Sequence, residues 1–291
     1  MSHSSKGTVA VLGAGTMGLG IAQVCATAGH DVRLRDVAET QLEKARAAIV
    51  SSLERMVSKG KLTTVDRDAA LSRLQFTTRF DDAVRDAAVV VEAIPERMDL
   101  KLETFRALDT AASASALLAS NTSSLSITEI AGVLRDPSRV VGLHFFNPVP
   151  VMELLEIVRG MRTTDATVER AQGFARALGK TPIVVRDFPG FATSRLGVAL
   201  GAEAMRMLEQ GVASAEDIDR AMELGYRHPM GPLKLTDLVG LDVRLAILDH
   251  LHSELGEQFR APAILRQMVR AGKLGKKSGE GFYPWPEERK G

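Results

Sequence analysis

Cysteine is almost absent from this chain: Cys25 stands alone among 291 residues. One thiol can form neither an internal disulfide nor a CxxC metal site, which argues against a disulfide-stapled secreted protein and fits a reducing compartment. Excess charge is absent too. The 37 Lys and Arg against 36 Asp and Glu leave a net charge of +1, so no global field draws the protein to nucleic acid or an anionic membrane, and any anionic ligand must be caught locally. No window reaches the roughly 18 apolar residues of a membrane span. The opening stretch, residues 1–6, lacks the apolar core of a secretory signal. Together these absences predict a cytoplasmic protein with no metal, nucleic acid or membrane partner, and leave open a targeting segment trimmed on import. What remains is ordinary globular composition, 45% hydrophobic and 25% charged, in a chain longer than one typical domain of about 100–150 residues.

Apolar, β-branched runs at 8–12, 31–35, 88–94, 116–119, 140–146 and 182–186 read as strands. Helical patterns lie between them at 17–28, 38–59, 100–112 and 126–134. The second of these helices carries Leu42, Ala45, Ile49, Leu53, Met56 and Val57 at helical spacing with charges elsewhere, so it is amphipathic. Ser126 and Glu129 form a capping-box signature. Strands alternating with helices imply βαβ units: an α/β, Rossmann-type, mostly parallel sheet with helices on both faces. After Pro189-Gly190 the pattern turns helical at 193–210, 215–224 and 243–255, with Ser214 and Asp217 capping the middle one. The expected domains are 1–186, α/β, and 187–291, smaller and all-helical.

Gly13-Ala14-Gly15-Thr16-Met17-Gly18 is a GxGxxG directly after a strand and opening a helix. Its first glycine permits the tight turn, its second lets the backbone approach a pyrophosphate, and its third allows helix to pack on strand. The helix N-terminus then supplies amides and a favourable dipole to the phosphates. Asp36 ends the next strand, where a carboxylate accepts from adenosine ribose hydroxyls and repels a 2′-phosphate. NAD is the expected cofactor, with Arg33 and Arg35 close enough to leave room for NADP.

Residues 120–124, Ser-Asn-Thr-Ser-Ser, follow an apolar strand and so lie where ligands bind in open α/β sheets, although a turn or helix cap reads equally well. Further on, His144 ends a strand, Pro148 and Pro150 break the chain, and Glu156 interrupts the apolar run 154–158. If the chain turns back antiparallel around Pro150, residues 144 and 156, each six positions from it, become cross-strand neighbours. A carboxylate beside the imidazole fixes its tautomer and prepares the other nitrogen to take a hydroxyl proton. The alternative is a backbone-satisfied core histidine and a glutamate paired with an arginine.

GAGTMGLGIAQVCATAGHDV, VVEAIPE, ASNTSSLSI, GLHFFNPVPVMELLEIV, PGFATSR, HPMGPLKLTDLVGLD and GKKSGEGFY, in this order over nearly the whole chain, closely resemble the (S)-3-hydroxyacyl-CoA dehydrogenases. The resemblance implies NAD-dependent, reversible oxidation of a 3-hydroxyacyl-CoA to a 3-oxoacyl-CoA, short chains such as hydroxybutyryl being the first expectation. It implies His144 as the base, Glu156 as its partner and Ser123 as a hydrogen-bond donor to the substrate's C3 oxygen. Glu96, Lys101, Asn147 and Lys277 resemble residues around the nicotinamide half of NAD, and Ser52 and Lys59 resemble contacts to coenzyme A. For Lys59 and Lys101 a solvated helix face is the competing reading. The helical domain resembles the family's dimerisation domain, implying a homodimer. One position departs: the family pattern PGFxxNR has asparagine where this chain has Ser194, whose shorter hydroxyl can still bond a thioester directly or through water. The rival activities are a 3-hydroxyadipyl-CoA or related dicarboxylyl-CoA dehydrogenase, a sugar-acid dehydrogenase, and a catalytically silent NAD-binding protein.

Overall fold

The computed structural model describes residues 6–286, so the opening stretch read as lacking a signal's apolar core lies, but for Lys6, outside the described residues. The chain divides into two compact units between Asp187 and Phe188. The first runs β1 (Thr8–Leu12), α1 (Thr16–Thr27), β2 (Asp31–Arg35), α2 (Glu39–Ser58), α3 (Thr64–Ser72), β3 (Leu74–Thr77), α4 (Phe80–Val84), β4 (Val89–Glu92), α5 (Met98–Ala111), β5 (Leu117–Ser120), α6 (Ile127–Ala131), β6 (Val140–Phe145), β7 (Leu154–Arg159), α7 (Asp165–Ala177) and β8 (Thr181–Arg186). Its eight strands lie in the order β3-β2-β1-β4-β5-β6-β7-β8. The first six are mutually parallel, β7 is antiparallel to β6, and β8 is parallel to β7.

Strand order reverses between β1 and β4, the switch point where a doubly wound sheet opens a crevice at its carboxyl edge. The register lines that edge up residue by residue: Leu12 pairs with Arg35 and with Glu92, Glu92 with Ser120, and Ser120 with Gly142, two residues before His144. The strands are apolar because both faces are covered, and β4, β5 and β6 are buried throughout. On α2 the buried residues are Leu42, Ala45, Ile49 and Leu53, each large aliphatic stabilising the fold by about 1.5–3 kcal/mol.

The capping-box signature at Ser126 is realised only by half. Ser126 Oγ accepts the Glu129 amide at 3.2 Å, and α6 stops at Ala131 rather than continuing to 134. The remaining amides of its first turn are taken by Asp187, which accepts from Ile127 N at 3.1 Å and Thr128 N at 2.7 Å. A carboxylate at a helix start suits its amide donors and the positive end of its dipole. Elements absent from the sequence reading are α3, α4, α10 (Pro232–Val239) and α12 (Ala263–Arg270), the half-exposed edge strand β3, and α7. The last is amphipathic, with Val168, Ala171, Phe174 and Ala175 inward and Thr164 accepting the Thr167 amide at its start.

The second unit contains α8 (Thr193–Glu209), α9 (Ala215–Gly225), α10 (Pro232–Val239), α11 (Leu241–Leu255) and α12 (Ala263–Arg270) around a core that includes Val198, Met205, Leu233, Leu248 and Leu265. Ser214 caps α9 through the Asp217 amide at 3.1 Å. Two buried aspartates hold the segment after α12. Asp237, 1% exposed, accepts from Phe282 N (2.9 Å), Tyr283 N (2.9 Å) and Trp285 Nε1 (2.8 Å). Asp219 accepts from Leu233 N, Lys234 N and the Tyr283 hydroxyl, all within 2.9 Å. Burial, then the Asp219 bond, push the Tyr283 phenol well above its ordinary value, so it stays a donor. Among the described residues no helix is long and apolar enough to cross a membrane, and no cluster of His, Cys, Asp and Glu is placed to hold a metal ion.

Replacing Asp237 by asparagine puts an amide donor against the Trp285 or main-chain donors. The expected loss is about 3 kcal/mol, since hydrogen bonds to charged groups contribute about 1.5–3 kcal/mol each. Trp285 is the single tryptophan, so urea unfolding followed by its emission checks this directly: the midpoint falls and native emission shifts to the red. An unchanged midpoint and spectrum would mean that Asp237 does not hold this segment.

Candidate active site

The glycine loop excludes side chains at two positions and is open at a third. Gly13 has φ +103°, and a Cβ there would stand 2.5 Å from the Ala93 carbonyl oxygen; a Cβ on Gly18 would stand 1.7 Å from that of Gly13. Both positions therefore exclude side chains. Gly15, by contrast, faces open space, with nothing within 4 Å of its would-be Cβ, which is what close approach of a pyrophosphate needs. No acidic residue occupies the first turn of α1, so nothing there competes with an anion for its amides. Asp36 closes the loop from the side: Oδ2 accepts from Ala14 N at 2.8 Å and Oδ1 from Ala38 N at 3.1 Å. A cavity of about 850 Å³ opens here, walled by Gly13, Gly15, Thr16, Met17 and Asp36, with Ala93–Pro95 opposite. Its size and its donors suit a dinucleotide.

At the far side of the carboxyl edge, His144 and Glu156 are directly opposite in the antiparallel β6–β7 pair. His144 Nδ1 lies 2.7 Å from Glu156 Oε2, and both residues are buried, at 6% and 0% exposure. The carboxylate can only accept, so the proton sits on Nδ1 and the lone pair on Nε2. The Phe146 ring lies 4.4 Å from the imidazole, centroid to centroid. Lys180, which the sequence reading did not single out, steadies the connecting loop: its ammonium donates to the Val149 and Met152 carbonyls, each at 2.6 Å. Burial holds this lysine below its ordinary value. Asn147 is exposed on the same loop.

Between cavity and dyad lies the 120–124 loop. Asn121 Oδ1 accepts from Phe145 N at 2.9 Å, tying the loop to the end of β6. Glu96 gathers the hydroxyls: one oxygen accepts from Thr122 Oγ1 (2.6 Å), Ser123 N (2.8 Å) and Ser123 Oγ (3.1 Å). Burial pushes the Glu96 carboxyl up, but Lys101 and the Thr122 and Ser123 donors outweigh it and hold the group below its ordinary value.

Lys101 corrects an expectation. A solvated helix face was one reading of it, yet it is 1% exposed, with its ammonium 2.7 Å from Glu92 and 3.3 Å from Glu96. It points inward because Glu92, itself fully buried, has no other cation beside it among the described residues. Glu92 also accepts from Ser120 Oγ at 2.6 Å and Ile94 N at 2.8 Å. The sequence reading missed Glu92; the one signal was a carboxylate closing the apolar run Val89–Glu92. Ser52 is half-buried on α2 and Lys59 is exposed just past its last turn, so these two share one end of that helix. Ser194 and Lys277 belong to the helical unit. Ser194 lies in the first turn of α8, half-buried, and Lys277 pairs with Asp242 at 2.5 Å.

Comparison with known proteins identifies the family. The family model for the NAD binding domain of 3-hydroxyacyl-CoA dehydrogenase matches residues 8–188, and that for its C-terminal domain matches residues 190–285. The 3-hydroxybutyryl-CoA dehydrogenase of Mycobacterium tuberculosis is 47% identical over 95% of this chain and 98% of its own. A probable 3-hydroxybutyryl-CoA dehydrogenase of Bacillus subtilis is 45% identical over 96% of this chain and 98% of its own. The crystal structure of (S)-3-hydroxybutyryl-CoA dehydrogenase from Ralstonia eutropha matches with a TM-score of 0.92 at 42% identity, covering 96% of this chain and 99% of that one. With both domain models matched in order and relatives aligned over nearly their full lengths, the chain belongs to the 3-hydroxyacyl-CoA dehydrogenase family, an NAD-dependent oxidoreductase whose first unit is the family's NAD-binding domain.

Proposed function

We propose that this enzyme acts on short-chain (S)-3-hydroxyacyl-CoA thioesters, with 3-hydroxybutyryl-CoA as the reference substrate, and that His144 is the group that takes and returns the hydroxyl proton. The observation that carries this reading is the 2.7 Å contact between His144 Nδ1 and Glu156 at the carboxyl end of β6. With Nδ1–H donating to Glu156, Nε2 is the basic nitrogen, and the imidazolium formed when it takes the C3 hydroxyl proton is stabilised by the carboxylate behind it. NAD, when bound, supplies the acceptor for the hydrogen that leaves C3 with its electron pair. The Gly13–Gly18 loop would hold its phosphates and Asp36 its adenosine ribose, with Glu96, Asn147 and Lys277 toward the nicotinamide half and Lys101 acting there through Glu96. Ser123 would bond the substrate's C3 oxygen, turning its hydroxyl from Glu96 to do so. Ser52 and Lys59 are assigned to coenzyme A, and Ser194 to the thioester end.

The short-chain reading is supported by the relatives above, which are named for the hydroxybutyryl substrate. A homodimer formed through the helical unit is supported by apolar side chains left exposed along α10 and the start of α11: Leu235, Leu238 and Val239 at 40% and Val243 at 42%. The balanced charge fits a cytoplasmic setting.

Four measurements check this reading. His144→Gln should lower kcat by about 10²–10⁴-fold while leaving the NAD dissociation constant within a factor of a few; near-wild-type kcat would remove the dyad from the mechanism. Asp36→Ser should erode the preference of kcat/KM for NAD over NADP, and a wild type that favours NADP would overturn the assignment of Asp36. Across acetoacetyl-CoA, longer 3-oxoacyl-CoAs and free 3-oxo acids, NADH oxidation should be fastest with the C4 thioester. Ser194→Ala should lower kcat/KM severalfold, because losing one substrate hydrogen bond costs about 0.5–1.5 kcal/mol. Faster turnover of free acids, or equal kcat/KM for wild type and Ser194→Ala across the panel, would contradict these assignments.

A further inference from the structure

Glu92 and Lys101 are fully buried, and neither side chain has the accessible surface to meet a substrate. Yet their bonds reach both walls of the site. Glu92 Oε1 accepts from Ile94 N at 2.8 Å and so shapes residues 93–95, which line the dinucleotide cavity. Its Oε2 accepts from Ser120 Oγ at 2.6 Å, and Ser120 Oγ in turn accepts from Thr122 N at 3.3 Å, which sets the start of the 120–124 loop. Lys101 carries the connection onward from Glu92 at 2.7 Å to Glu96 at 3.3 Å, and Glu96 holds Thr122 and Ser123.

A buried ion pair is a poor device for stability. Desolvating both charges offsets most of their attraction, and a matched apolar or neutral pair in the same place is often as stable or more so. What such a pair does supply is fixed direction. Glu92 of β4 is bonded at 2.6–2.8 Å to Ser120 of β5, Lys101 of α5 and Ile94 N in the turn after β4, and only the outer contact, Lys101 to Glu96 at 3.3 Å, reaches a partly exposed side chain. We propose that Glu92, through Lys101, is a positioning pair for the reaction: it sets the Ser123 hydroxyl and the 93–95 cavity wall in register with each other, so that substrate oxygen and cofactor are presented together. The proposal rests on the assignment of Ser123 to the substrate's C3 oxygen.

The test uses the full-length enzyme with NAD and acetoacetyl-CoA reduction as the assay, comparing Glu92→Gln, Lys101→Met, the double variant and Ser123→Ala. Lys101→Met leaves the buried Glu92 carboxylate without a cation, and Glu92→Gln leaves Lys101 only its longer contact to Glu96, so each should lower the melting temperature; the double change removes both buried charges and should recover most of it. A positioning role predicts that kcat of the double variant stays lower than wild type by about tenfold or more, since small misplacements of reacting groups are costly, whereas a merely structural role predicts that kcat recovers with the melting temperature. Recovery of kcat in the double variant therefore overturns the proposal. Should the double variant not fold, Ser120→Ala keeps the Glu92–Lys101 pair and severs the direct link from Glu92 to the loop; it lowers the melting temperature as well, but in enzyme that is still fully folded at the assay temperature kcat should be lower severalfold, and wild-type kcat there overturns the proposal equally. Ser123→Ala separates the two claims. If it retains wild-type kcat, the assignment of Ser123 fails; if it is slow while the Glu92/Lys101 double variant is not, only the positioning role fails.

Discussion

The contact on which the rest of the site depends is the one between His144 and Glu156 across the β6–β7 pair. It exists because the sheet changes direction there. Five crossovers deliver six parallel strands whose carboxyl ends form one edge, and an immediate antiparallel return is what lets residues only 12 apart face each other across neighbouring strands. The chain reverses around residues 146–153, held by Lys180 on two carbonyls, and the carboxylate returns to the level of the imidazole. The pair depends on strand register, because a slip of one residue would turn Glu156 to the face of the sheet away from His144.

The glycine-loop cavity and the dyad are separate constructions joined by polar groups at the sheet edge. The cavity belongs to the β1–β4 switch point, with its glycine turn and Asp36; the dyad belongs to the antiparallel edge two strands further on. Between them the Ser120–Ser123 hydroxyls, Glu96, Glu92 and Lys101 make a continuous hydrogen-bonded chain. Buried polar groups are tolerable only when satisfied, and here satisfaction and placement are the same bonds. The helical unit uses the same chemistry for a different end: Asp219 and Asp237 gather main-chain and aromatic donors to fold the segment after α12 back onto α9 and α10.

Much of this was legible in the amino-acid sequence, for reasons that are local. The glycine loop, its preceding strand and Asp36 lie within 30 residues and carry a pattern that has one mechanical purpose. The His144–Glu156 pairing was legible because two positions equidistant from a proline turn must face each other in an antiparallel ladder, and β6 and β7 pair in that register. What could not be read were relations between distant segments. Glu92 reads as a polar residue ending a strand, and nothing in its neighbourhood says that Lys101, one turn into α5, will face inward to meet it. Asp187 taking the first amides of α6 depends on two residues about 60 positions apart. The edge strand β3 was invisible because its half-exposed side chains carry no clean alternation. The helix α7 was readable in principle, from its Thr164 cap and inward stripe.

The central claim is that Glu156 fixes the proton of neutral His144 on Nδ1, leaving Nε2 to exchange a proton with the substrate. Long-range ¹H–¹⁵N correlation spectra of the enzyme with ¹⁵N-labelled histidine test this most directly, with His144 assigned by comparison with His144→Gln. The account predicts the Nδ1–H tautomer for His144 in the wild type, with a downfield, slowly exchanging Nδ1 proton that is lost or shifted upfield in Glu156→Ala. A neutral His144 protonated on Nε2, or an Nδ1 proton resonance indifferent to removal of Glu156, would contradict it.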